Sequence, residues 1–234
     1  MIQITNLKKS FGETTACAID SFTVNDGDLL GLVGNNGAGK TTMFRLILDL
    51  LKPDEGQVLI DGIDPSTSEE WKQATAAYID EGFLIDYLTP EEYFAFIAKV
   101  CSMPKNVLEE RLQTFEHFSG GEILGQKKLI RNLSAGNKQK VGIISTLLRQ
   151  PHLVILDEPF NFLDPTSQSI LKHMLTDYSQ QTGATILLSS HNLQHTIDIS
   201  TRIALLEKGH IIRDIENNEE EARKQLIDYF EEHV

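Results

Sequence analysis

The chain is 234 residues long, 41% hydrophobic and 24% charged, with 21 lysines and arginines against 34 aspartates and glutamates, a formal charge of −13. That length suits one globular domain, or one domain with a lobe, built on a sizeable core. The acidic balance repels nucleic-acid phosphates, so nucleic acid is not an expected partner. The two cysteines, Cys17 and Cys101, have neither a CxxC spacing nor a second ligand pair, and read as buried or half-buried thiols of a reducing compartment.

Ile2 and Ile4 alternate with polar neighbours in MIQITNLKKSFG, as on a strand edge. The segment lacks the apolar centre of a signal peptide. No stretch approaches the roughly eighteen apolar residues of a spanning helix, so any place at a membrane is peripheral and held by another protein. NDGD (Asn25–Asp28) is a turn, and LLGLVG (Leu29–Gly34) a short buried strand. TTMFRLILDLL (Thr41–Leu51) is predicted as one deeply buried helix, stopped by KPDEG. QVLIDG reads as a strand ending in a turn.

From about Ile85 to Gln150 the texture turns helical. TPEEYFAFIAKVC has a threonine cap, a proline at the first helical position and glutamates in the first turn. PKNVLEERLQTFEHF is a further helical stretch. Beyond it, HLVILDEP and GATILLSSH are strongly apolar strands separated by a helix starting near Pro165. RIALLEKGHIIRD (Arg202–Asp214) reads as a hairpin around Lys208–Gly209. The tail, 216–234, has seven acids against Arg223 and Lys224 and reads as a solvated amphipathic helix. Strands alternating with helices predict an α/β fold with a largely parallel core sheet, and the N-terminal strands a separate antiparallel layer.

Between strand and helix lies Gly34-Asn35-Asn36-Gly37-Ala38-Gly39-Lys40-Thr41, which fits G-x-x-x-x-G-K-[ST]. A phosphate chain is held best by backbone N–H groups pointing inward, and so tight a wrap needs residues without Cβ. The helix from about Lys40 adds its positive end. Lys40 reaches the β- and γ-oxygens, and the Thr41 hydroxyl can ligate Mg²⁺. The expected ligand is ATP with Mg²⁺.

Asp157 and Glu158 follow the buried run LVIL, at the strand end where open α/β sheets bind ligands. Asp157 is placed to hold Mg²⁺ through water, and Glu158 to polarise a water that attacks the γ-phosphate. His191, after TILLSS, fits either a satisfied structural group or a γ-phosphate contact. His191 and His195 have metal-ligand spacing, but Asn192 stands where HExxH has glutamate, so zinc is disfavoured. In NLSAGNKQK (Asn132–Lys140), Ser134 and Gly136 present a hydroxyl and bare N–H groups at a helix start. One chain can hardly fold both anion-binding devices onto one phosphate; a head-to-tail dimer can, with one chain's glycine loop facing the other's LSAGN.

This order of motifs, over about Met1 to Asp214, resembles the nucleotide-binding subunit of ABC (ATP-binding cassette) transporters. GNNGAGKTT, ending at Thr42, resembles Walker A; LVILDE, Walker B; LSAGN, the LSGGQ signature; NFLD (Asn161–Asp164), the D-loop; His191, the switch histidine. Phe11, in FG, takes the place of the aromatic that stacks on adenine, although alone it reads as core. The resemblance implies a P-loop NTPase core (1–84 and 151–215), a helical subdomain (85–150) and two ATP between two subunits, alike or different. It also implies integral membrane permease partners on the cytoplasmic face, with GFLIDYL (Gly82–Leu88) at the groove that receives them.

Three departures from the family pattern stand out. Glu81 falls where the family has the Q-loop glutamine, and remains a possible Mg²⁺ ligand. Ala135 replaces the first signature glycine and fits only at negative φ. Asn137 replaces the final glutamine and keeps its amide. Turnover is expected to survive them, but slowly. A nucleotide kinase would lack LSAGN and the Asp157–Glu158 pair; a translation ATPase would carry two cassettes, and a repair ATPase long coiled coils. A soluble iron–sulfur assembly ATPase stays open as the alternative.

Overall fold

The computed structural model describes residues 1–217 and Lys224. The helix predicted for the tail lies outside the described residues, except that Glu216 closes a strand instead of opening the tail. The N-terminal layer is a three-stranded antiparallel sheet in the order β2-β1-β4, made of β1 (Ile2–Phe11), β2 (Thr14–Val24) and β4 (Glu55–Ile60). β1 lies in its middle, not at an edge: alternation shows that a strand has one buried face, not how many neighbours it has.

The second sheet has six strands in the order β5-β6-β7-β3-β8-β9. They are β3 (Leu29–Val33), β5 (Thr75–Tyr78), β6 (Leu153–Leu156), β7 (Thr185–Ser190), β8 (Arg202–Glu207) and β9 (His210–Glu216). The first five run parallel, and β9 returns antiparallel from β8. The predicted hairpin turn is present, with Lys208 at φ 47° and Gly209 at φ 84°. Every residue of β3, β6 and β7 is buried, as expected of strands covered on both faces.

One face of this sheet packs on α1 (Lys40–Ile47) and, through it, on the antiparallel layer. Met43, Phe44 and Ile47 are fully buried between the sheets; truncating such a phenylalanine costs about 3–5 kcal/mol. α1 is shorter than its apolar run suggests. Asp49 takes φ 52°, and Leu50 and Leu51 both donate backbone N–H to the Arg45 carbonyl. That left-handed stop ends the helix while Leu48 stays buried.

The other face carries the helices. The exception is α2 (Trp71–Ala74), which leads into β5 but stays on the α1 side, where Trp71 joins that core. Between β5 and β6 come α3 (Pro90–Val100), α4 (Lys105–Thr114), α5 (Glu116–Ser119) and α6 (Ala135–Leu147). α3 opens with a full capping box: Thr89 Oγ1 accepts the Glu92 N–H, and Glu92 accepts the Thr89 N–H. α7 (Pro165–Thr182) and α8 (Leu193–Ile199) flank β7. Phe94, Phe118, Ile130, Val141 and Leu171 join these helices to Val154, Leu156 and Leu188 of the sheet in one core.

Candidate nucleotide site

β6, β7 and β3 are adjacent and parallel, so the segments leaving their C-terminal ends meet. Those segments are Asp157–Glu158, His191 and the glycine loop. The loop is fixed at both ends: Gly34 N–H donates to the Ser190 carbonyl at 3.3 Å, and Gly209 N–H to the Ala38 carbonyl at 2.8 Å. Gly39 has φ 109°, and a Cβ there would stand 2.2 Å from the Ala16 carbonyl oxygen. Asn35, Asn36 and Gly37 are exposed and Ala38 is buried; with Gly34 and Lys208 they line a cavity of about 210 Å³. Thr42 is half-buried in the first turn of α1.

Lys40 is 6% exposed. Its Nζ donates to the Gly34 carbonyl at 2.5 Å and lies 3.2 Å from Glu158 Oε1. Thr41 Oγ1 donates to Asp157 Oδ2 at 2.5 Å, and Ser189 Oγ donates to Asp157 Oδ1. Burial pushes the Asp157 carboxyl above the usual carboxylate range, against the pull of those two hydroxyls. Two hard oxygen donors, a carboxylate and a hydroxyl, thus converge beside the glycine loop, and a cation there would relieve the buried charge. That chemistry fits Mg²⁺.

Glu158 sits at φ 47°, a conformation that costs a non-glycine residue about 1–2 kcal/mol. Its N–H donates to Ser189 Oγ at 2.8 Å, and its carbonyl accepts from Gln139 Nε2 at 3.2 Å and from the Asn161 N–H at 3.1 Å. The backbone is thereby clamped so that the carboxylate lies between Lys40 and His191, whose Nδ1 is 2.9 Å from Glu158 Oε2. His195 does not join His191: its ring packs on Phe160, centroids 4.9 Å apart, and burial lowers its basicity.

Ser134 caps α6 by accepting the Asn137 N–H at 3.2 Å. Ala135 is the first helical residue and does not have positive φ, as its substitution for glycine requires. A Cβ on Gly136 would lie 2.6 Å from the Phe162 carbonyl oxygen, so the helix start and the loop after Glu158 are in direct contact. Asp164 caps α7, accepting from the Ser167 hydroxyl and N–H, which hold its carboxyl low. Glu81 pairs with Lys138 of α6 at 3.0 Å. Phe11 is no core residue; it is 54% exposed at the end of β1, with Lys9 Nζ 5.8 Å from its ring centre.

Three contributors carry no signal in the sequence by themselves: Ser189, which holds both carboxylate residues, Gln139 and Lys138. Ser189 precedes His191 in SSH, and proximity to that histidine is the only sequence cue it offers.

A family model described as ABC transporter matches residues 18–161. The bacitracin transport ATP-binding protein of Enterococcus faecalis is 32% identical, covering 99% of this chain and 74% of that protein. The lipopolysaccharide export system ATP-binding protein of Haemophilus influenzae is 31% identical over 96% of each. A solved structure described as the ATP binding subunit of an ABC transporter aligns with TM-score 0.84 and 28% identity, over 97% of this chain and 93% of that one.

Proposed function

The chain belongs to the ABC transporter family and is an ATP-binding and ATP-hydrolysing subunit of it; on that premise we propose how its residues act. The single observation that carries the mechanism is the placement of Glu158 between Lys40 Nζ and His191 Nδ1. ATP threads its phosphates through the backbone N–H groups of Gly34–Thr42, and Phe11 stacks on the adenine. Lys40 then exchanges Glu158 for the β- and γ-oxygens. Glu158 Oε1 is left free to accept a proton from the attacking water, while His191 steadies Oε2 and the γ-phosphate. Thr41 and Asp157 would hold Mg²⁺, which would supply charge neutralisation to the phosphates, while Glu81 stays paired with Lys138.

Ser134, Ala135, Gly136 and Asn137 serve the ATP of a second subunit, alike or different, together with Asp164. The exposure of Ser134 and Ala135 at a helix N-terminus supports this. Hydrolysis removes the charge that joins the two subunits, which then part. A Glu158→Gln variant tests the scheme, and is expected to form an ATP-bound dimer at saturating Mg·ATP in size-exclusion chromatography. If it stays monomeric, the sandwich mechanism does not hold.

The subunit docks on an integral permease at the cytoplasmic face of the membrane. Among the described residues no helix is long and apolar enough to cross a membrane. A groove of about 320 Å³ runs past Leu48, Leu50, Trp71, Thr75, Phe83 and Arg149. Trp71 Nε1 and Thr75 Oγ1 are buried there without a partner among the described residues, and Leu50 and Phe83 are each half exposed. Half-exposed apolar anchors along a groove suit an incoming helix. Of the apolar side chains in GFLIDYL, Phe83 and Tyr87 are exposed, whereas Leu84, Ile85 and Leu88 pack into the helical core.

A further inference from the structure

Four carboxylates, Asp80, Glu81, Asp157 and Glu158, line one cavity of about 240 Å³ beside Lys138. Asp80 pairs with Arg45 at 3.1 Å, Asp157 accepts two hydroxyls, and Glu158 lies between Lys40 and His191. Glu81 has Lys138, at 3.0 Å. Lys138 is 19% exposed but Glu81 is 62% exposed, and a pair so open to water contributes little to folding. Its effect falls on whatever charge enters the cavity. The cavity borders the nucleotide site through Asp157 and Glu158, which touch Thr41 and Lys40, and a polyphosphate bound there would be repelled by an unpaired carboxylate at position 81.

We propose that Lys138 is a positioning residue for nucleotide binding: it neutralises Glu81 and holds that loop against α6, so that a carboxylate is tolerated where the family has an amide. The proposal rests on the nucleotide site described above. It makes the residues at positions 81 and 138 a matched set, in which lysine is needed only while position 81 is charged. α6 also opens with the signature residues that serve the other subunit's ATP, so the pair ties the loop of one site to the helix of the next.

The test is a double-mutant cycle on ATP affinity, measured by titration calorimetry with Mg²⁺ and, separately, with chelator present. Lys138→Gln is expected to weaken binding about tenfold at low ionic strength, with the loss shrinking as salt is raised. Lys138→Arg should bind within about twofold of the wild type. In the Glu81→Gln background, Lys138→Gln should change affinity less than about twofold. Thermal melts of the nucleotide-free variants separate unfolding from weakened binding. The proposal is overturned if Lys138→Gln binds as tightly as wild type, or if it loses the same factor with glutamine at position 81. Lys40→Ala, run in parallel, reports on the site itself: undiminished binding there would refute the glycine loop as the phosphate cradle, whatever the cycle gives.

Discussion

Ser189 is buried completely and touches both carboxylate residues of the site. Its hydroxyl donates to Asp157 and accepts the Glu158 N–H. Replacing it with alanine removes a hydrogen bond to a charged group, worth about 1.5–3 kcal/mol, and a neutral one, worth about 0.5–1.5 kcal/mol. The Glu158 N–H is left without that partner, at a residue whose φ of 47° is already unfavourable. The expected loss is about 2–4 kcal/mol, large for one side chain, and for a chain of this size a fall in Tm of roughly 5–15 °C. Urea unfolding followed by the single tryptophan, Trp71, measures it. A second readout separates position from stability. The Ser189 hydroxyl pulls the Asp157 carboxyl down against burial, so its removal raises that carboxyl further. Asp157 then ionises only at higher pH, and the acid limb of Mg·ATP hydrolysis moves upward in pH. Ser189→Ala with a stability change below about 0.5 kcal/mol and an unmoved acid limb would refute this account.

Gly39→Ala forces a Cβ to 2.2 Å from the Ala16 carbonyl at φ 109°; nucleotide binding should disappear and stability fall by at least about 2 kcal/mol, as checked by calorimetric titration and melting. Phe11→Ala should weaken ATP about tenfold by loss of stacking while leaving inhibition by tripolyphosphate unchanged; equal weakening of both would place Phe11 outside the base site. Burial pushes the Cys17 thiol up to about 12, so a charged disulfide reagent at neutral pH should modify half-buried Cys101 quickly and Cys17 only on unfolding.

What was legible in the sequence is what local pattern encodes. The apolar runs of β3, β6 and β7 are buried on both faces and could be read without knowing their partners. The hairpin at Lys208–Gly209 and the Thr89 capping box are likewise written in consecutive residues. β5 was not legible, because TAAY is four residues long and gains its strand character only from pairing with Leu153–Leu156. The early end of α1 was hidden for the opposite reason: Leu50 and Leu51 continue the apolar pattern after the backbone has turned. In the site, the glycine loop and the Asp157–Glu158 pair announce themselves by residue type. Ser189, Gln139 and Lys138 do not, since a serine, a glutamine and a lysine acquire their roles only through which backbone they stand beside. Phe11 by itself reads as core, yet it stands at the turn into β2, paired with Thr14, where its ring is exposed.

The turn at Lys208–Gly209 looks like a place where a chain could be lengthened freely, as surface turns usually are. It is not one. Gly209 donates to Ala38, accepts from the Ala18 N–H at 2.8 Å, and leaves only 3.0 Å between a would-be Cβ and the Ala16–Cys17 backbone. This turn is the rivet between the β1–β2 hairpin and the glycine loop, which it holds together like two jaws. A tag inserted at residues 208–209 would pull the jaws apart, although it would touch neither ATP nor any residue that acts on it.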